Sequence, residues 1–415
     1  MRRAEVPQAG VLGPPEGRLQ RARRTLAAHW RPLVVPGLLL WAMAAVVGSV
    51  LIHSVDLKEY ARYAHAALQL PPLHRFPAEY PAPSVALFLL PLLLPVAYPW
   101  AFAIVVGVVL VVLLVSYDVP GLPGLDAASA RRLLVYMALG TVMFVTARYD
   151  LFATAAAFWS YRAARRQRWS AAWTWSVVGA ALKLYPAVLW PILLVAETRH
   201  SGRLPLRRAL WAAGACAAVV GVPALLDPHA VGTVARYYVA RPVEIGSTVS
   251  GLLVILDWHV HFISAFHSTD VVSHLGNWLA VPAAAAGVLG VVTTWGLYLR
   301  RRLSTEAAIL ASLTCIVLGS KVLSVQYLVW LMPFWALYPV RRAWMLACAV
   351  NTAVFPLSGW VTSFSGASVR TYGTLLALSF FARDLLIASG TLAWLRGELG
   401  SLGAPGVAGG QMRRS

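Results

Sequence analysis

Charge is what this chain has least of. Only 12% of its 415 residues are Asp, Glu, Lys or Arg, against 59% hydrophobic, which excludes soluble domains of ordinary composition. Lysine occurs at Lys58, Lys183 and Lys321 alone. Cys216, Cys315 and Cys348 each sit inside an apolar run, without a CxxC pair or knuckle spacing, and read as small core residues. DxD, GxGxxG, Walker A and HExxH patterns are absent too, so neither a nucleotide-bound donor nor ATP is expected. No internal repeat is visible.

What is present is a succession of apolar runs punctuated by arginine clusters, the pattern of an all-α polytopic membrane protein. The net charge of +19 lies mostly in those clusters, as in loops held inside, and does not describe a nucleic-acid surface. Residues 1–31 read as a disordered basic arm beside anionic lipid, and 396–415 as a disordered tail. Between them, 32–395 form a single transmembrane domain. The expected crossings are 32–53, 100–116, 133–146, 151–163, 170–182, 187–196, 210–226, 278–299, 307–319, 322–340, 344–360 and 372–395. Both ends then face inward, and Arg131 and Arg132 fall in an inner loop. Residues 84–96 are short and broken by proline, and read as a half-helix. Residues 227–277 form a second outer stretch, whose His259, His261 and His267 have the generic spacing of a solvated loop. A rival weave makes 170–196 one long span and inverts everything after it. Pro186 and Pro191 favour the broken pair, because proline interrupts a helix ladder.

The outer loop, 53–98, concentrates the scarce ionised groups. His53 to Pro83 carries Asp56, Glu59 and Glu79 of the sixteen carboxylates, with Lys58, His53, His65 and His74. Asp56, Glu59 and Tyr60 are spaced to share one face of a helix starting near Val55. Lys183 and Lys321 sit at outer helix ends in a chain that otherwise uses arginine. With Arg148, Arg236 and Arg241 at the same level, they suit a phosphate. Arg148 and Asp150 are expected to pair with each other, and Arg383-Asp384 reads as a buried pair within a span.

The segments DLKEYARYA, EYPAPSVALFLLPL, RYDLFATAAAFWSYRAARR, ALKLYPAVLWPILL, RPVEIGSTVSGLLVIL and SKVLSVQYLVWLMP together resemble glycosyltransferase family 87. These are bacterial polyprenol-phosphate-mannose-dependent α-(1→2)-mannosyltransferases. The likeness covers about residues 30–395. It departs at Tyr80-Pro81-Ala82, where the family usually has Tyr-Pro-Pro. The resemblance implies a C-type glycosyltransferase fold in the bacterial plasma membrane, with about twelve transmembrane helices and amphipathic helices in the outer loop. The implied donor is a polyprenyl-phosphate mannose and the implied acceptor an outer glycan or glycolipid.

On this reading Asp56 is the catalytic base, and Lys183, Lys321, Arg241 and Arg148 neutralise the donor phosphate. Glu59, Tyr60, Glu79, Tyr80, Asp150, Tyr185, Glu244 and Gln326 hold sugars or support the loop. No metal ligand set is assigned, and a divalent metal is left open. Two other classes share some of these features: a transporter or flippase of a lipid-linked or anionic substrate, and a polymerase or ligase using an undecaprenyl-linked oligosaccharide.

Overall fold

The structure, a computed structural model, describes residues 33–50, 55–69, 79–117, 122, 124–226, 228–266, 268–358 and 367–403. The arm 1–31, His53, His74, Asp227, His267 and residues 404–415 lie outside the described residues. The chain is mostly helical. Four helical stretches, Tyr98–Val115, Leu206–Leu225, Gly276–Leu299 and Ser368–Gly400, are long and apolar enough to cross a membrane.

In chain order α1 (Val35–Val50) is followed by α2 (Val55–Ala67) and α3 (Ser84–Leu89), which continues as a 3-10 turn, Leu90–Leu93. The Tyr98 hydroxyl donates to the Phe88 carbonyl (2.9 Å) and folds that short piece onto α4 (Tyr98–Val115). Next come α5 (Ala127–Gly140), α6 (Asp150–Arg165), α7 (Trp169–Leu182), α8 (Leu189–Ser201), α9 (Leu206–Leu226) and α10 (Pro228–Ala240). After strand β1 (Val243–Glu244) come α11 (Thr248–Leu256), β2 (His261–Ala265) and β3 (Ser268–Val272). The chain ends with α12 (Gly276–Leu299), α13 (Thr305–Gly319), α14 (Leu328–Trp335), α15 (Arg342–Ser358) and α16 (Ala367–Gly403).

Several boundaries differ from expectation for local reasons. Asp126 caps α5 by accepting from the Ser129 backbone N–H (2.7 Å), so Arg131 and Arg132 belong to a helix and not to a loop. The run 322–340 is not one continuous helix. It is extended to Ser324, turns through a 3-10 segment at Val325–Tyr327 and enters the eight-residue α14. The last helix continues past residue 395 to Gly403. The fold is also not purely α. The outer stretch read as a histidine loop folds as a hairpin, and β1 joins it to make an antiparallel sheet of order β1-β3-β2. The β-branched residues Ile263, Thr269, Val271 and Val272, with Phe262, suit these short strands, which pair Ala265 with Ser268 at the turn.

The broken pair stands. Trp173 in the first turns of α7 donates to Glu197 near the end of α8 (2.8 Å), so the chain reverses between them at Lys183–Val188. The helix ends sort into two groups. Arg165 pairs with Glu306 (3.1 Å) and Arg199 donates to the Tyr298 carbonyl (2.6 Å), which puts the arginine clusters after α6, α8 and α12 at one end. Asp150, at the start of α6, and Lys183, just past α7, pair at the other end (2.6 Å).

Small residues let elements approach closely where the fold needs it. A Cβ on Gly287 of α12 would lie 2.9 Å from the Cys315 carbonyl oxygen of α13. Arg383 and Asp384 are buried within α16 and carry a polar knot. Arg383 reaches Asp384 (2.8 Å), the Asn351 side chain (2.7 Å) and the Gly246 carbonyl (2.5 Å). Asn351 donates in turn to the Gly140 and Val325 carbonyls (3.0 and 3.2 Å). A charge inside an apolar helix costs about 2.5–3.5 kcal/mol to insert, and here both groups are partnered, Asp384 also accepting from Thr248 (2.9 Å).

Candidate active site

Eleven of the thirteen expected site residues line one cavity of about 950 Å³; Asp150 and Lys321 stand just behind its wall. Helix α2 positions the first group as its spacing requires. Asp56 and Tyr60 fall one turn apart, and Tyr60 is buried where it stacks on Phe88 (4.4 Å) and meets Tyr80 and Tyr149 edge-on (5.6 and 5.9 Å). That aromatic cluster anchors α2 to α3 and α4, so Tyr60 supports the loop. Burial, with the Asp56 charge adding to it, raises the Tyr60 pKa and keeps the phenol neutral. Glu59 pairs with Arg62, and Glu79 accepts from the Tyr63 hydroxyl (2.6 Å).

The ion pairs are exchanged relative to the sequence reading. Arg148 does not hold Asp150; its guanidinium pairs with the Asp56 carboxylate, which also receives a long contact from the Tyr80 hydroxyl (3.5 Å). Burial opposes the Arg148 charge, yet Asp56 and the surrounding tyrosines and Asp150 raise its pKa. Asp150, 1% exposed, instead accepts from Lys183 (2.6 Å) and from the Trp330 indole (2.8 Å). Its Oδ2 has no hydrogen-bond partner among the described residues. Two residues in sequence are simply too close to choose which partner packing will bring.

Lys183 sits in an aromatic box, its ammonium 4.6 Å from the Tyr327 ring centroid and 5.1 Å from those of Tyr149 and Trp330. Burial lowers its pKa, and the Asp150 carboxylate opposes that shift by favouring the charged form. Tyr185 stacks on Trp330 (4.0 Å) and donates to Thr154 (3.0 Å), while Gln326 accepts from Ser324 (2.6 Å).

Arg241, also in the cavity lining, pairs with Glu244 (3.4 Å) and donates to Ser268 (3.1 Å). Its Nε has no partner among the described residues. Lys321 does not reach the cavity. Its ammonium donates to the Val239 and Arg241 carbonyls (3.3 and 2.8 Å), so it holds the turn carrying Arg241 from behind. Arg236 stays on its own helix, donating to the Gly232 carbonyl (3.3 Å).

The sequence reading missed Tyr237, Tyr238, Phe266, Tyr327, Trp330 and the serines of the hairpin, all of which line the cavity. Of the outer histidines, His259 and His274 flank the Asp257 carboxylate (3.7 and 3.2 Å) and stay largely exposed. Among the described residues, no group of three His, Cys, Asp or Glu is placed to hold a metal ion. No protein-family model and no curated protein matches the chain.

Proposed function

We propose that this chain is an integral membrane glycosyltransferase of the bacterial plasma membrane. It moves a hexose, mannose by the family resemblance, from a polyprenyl phosphate to a hydroxyl of an outer glycan or glycolipid, forming an α-(1→2) linkage with inversion. The observation that carries the reading is the convergence of one carboxylate, Asp56, with Lys183, Arg148 and Arg241 on a single cavity at the end of the bundle away from the arginine clusters. By the positive-inside rule those clusters face the cytoplasm, so the cavity opens outward. The reading takes the segments α1, α4 to α9, α12, α13, 325–335, α15 and α16 as twelve crossings of a C-type glycosyltransferase. Helices as short as α7 and α8 are tolerated where they border a cavity.

In the proposed reaction the acceptor oxygen attacks the anomeric carbon from the face opposite the phosphate. Its proton passes to the Asp56 carboxylate as the carbon–oxygen bond to phosphate breaks. The polyprenyl phosphate leaves with the bonding pair and needs no proton, because Lys183 and Arg241 meet the charge that builds on it. Arg148 keeps Asp56 oriented until the acceptor arrives. Lys321 and Asp150 act through Arg241 and Lys183.

The test is to incubate purified protein with labelled polyprenyl-phosphate mannose and a mannoside acceptor. Labelled product is expected from the parent protein, and none above background from Asp56→Asn, which still folds and binds donor. Near-normal turnover by Asp56→Asn would refute the base assignment. Label that crosses a proteoliposome membrane without transfer would favour a transporter.

A further inference from the structure

The wall of the cavity facing Asp56 is unlike the rest of it. It is built from the last turn of α10, with Tyr237 and Tyr238, and from the hairpin β2–β3, with Ser264, Phe266 and Ser268. Tyr237 meets the Phe266 ring edge-on (5.1 Å, 77°) and Tyr238 lies against Tyr237 in the same way (5.5 Å, 86°). Phe266 holds φ at +51°, a conformation in which a bulky side chain is an outlier. Strain of that kind persists where the surroundings impose it, and it tends to mark sites that use the displaced side chain. Beneath the rings Ser268 accepts from Arg241 (3.1 Å) and donates to Asp270 (2.8 Å). Across the mouth, the Tyr238 hydroxyl donates to the Glu79 carbonyl (3.1 Å), which ties this wall to the loop ahead of α3.

Rings presented beside hydroxyls describe a surface for a ligand that has apolar faces and many hydroxyls. A pyranose has that chemistry: its C–H face packs on a ring while its hydroxyls reach serine and carboxylate oxygens. We propose that the Tyr237–Phe266 platform with Ser268 is the subsite that binds the sugar of the acceptor. The proposal rests on the transferase reading for the word acceptor, but the binding of a saccharide to this wall does not depend on it.

Phe266→Gly is the informative substitution. Glycine adopts positive φ freely, so the turn is kept and its strain relieved while the ring is lost. The thermal midpoint of the full-length protein should therefore not fall. Binding of an α-linked mannotriose to the detergent-purified chain, read by ligand-observed NMR without donor, should weaken about tenfold, equivalent to about 1.4 kcal/mol. Tyr237→Ala should weaken it likewise, and Phe266→Tyr, which retains a ring, should restore it. In the transfer assay the acceptor KM should rise about tenfold relative to the donor KM. Unchanged trisaccharide affinity in both ring-deleted variants, or no saturable binding to the parent chain, overturns the subsite. Transfer with an unchanged acceptor KM in Phe266→Gly sinks the subsite and leaves the transferase reading standing. Trisaccharide binding that is lost with the ring, in a chain that transfers nothing, does the reverse.

Discussion

Asp150 is the group whose removal should reveal most about how the cavity is held. At 2.6 Å from Lys183 and an effective dielectric near 20, the Coulomb term is about 6 kcal/mol before desolvation. Breaking a buried pair from one side costs about 3–5 kcal/mol, because the remaining charge is left without its partner. The three rings around Lys183 return about 1–2 kcal/mol of that, leaving a net loss of about 3 kcal/mol for Asp150→Asn. A chain of 415 residues has an unfolding entropy of about 0.9 kcal/mol/K, so the midpoint in detergent should fall by about 3 °C.

Asp150→Asn combined with Lys183→Met should recover part of the loss, giving a coupling of about 2–3 kcal/mol in a double-mutant cycle. The pH dependence adds an independent reading. The folded pKa of Lys183 lies below the ordinary 10.5, through burial first, so between the two values the unfolded chain holds more protons and stability rises with pH. Without the carboxylate that rise should begin at lower pH. A midpoint within about 0.5 °C of the parent chain, or strictly additive losses in the double variant, would refute the claim that these two groups hold each other.

Two other expectations concern Asp270 and Gly246. Burial pushes Asp270 up to about 6 against the pull of Ser268 and Arg241, so the folded chain keeps a proton that the unfolded carboxyl has already lost. Stability should therefore decline as pH rises from about 4 to about 6, and Asp270→Asn should flatten that slope in pH-dependent thermal melts. At Gly246 a Cβ would collide with the Leu323 carbonyl oxygen, which is backbone and cannot swing aside. Gly246→Ala should cost about 1–3 kcal/mol and lower transfer along with the midpoint; parent-like melts and turnover would disprove the close approach.

What could be read from the chain alone divides along a physical line. The helix starting at Val55, with Asp56 and Tyr60 on one face, follows from spacing and was legible, as was the reversal at Pro186, where proline breaks the ladder. Rarity singled out Lys183 and Lys321, but only packing assigns them different tasks, one beside the cavity and the other clamped on two carbonyls. Neighbourhood in sequence misassigned Arg148, because Asp56 reaches it across the fold and no local pattern encodes that meeting. The hairpin was missed for a different reason. Its two five-residue strands are short and neither alternates polar with apolar residues, so no period of two marks them in the sequence.

The helices of this chain are unequal in a way that bears on the lipid around it. Helix α16 has 37 residues and extends about 55 Å, whereas the 14 residues of α7 reach about 21 Å. A hydrocarbon layer of about 30 Å matches neither, so on the proposed twelve-crossing reading α16 would tilt and the bilayer would thin beside α7 where the cavity leaves it in contact with lipid. On the proposed transferase reading, a thinned annulus on the α7 side would bring the headgroup plane down toward Lys183, so that the phosphate of the proposed polyprenyl donor would meet the cation without leaving the leaflet.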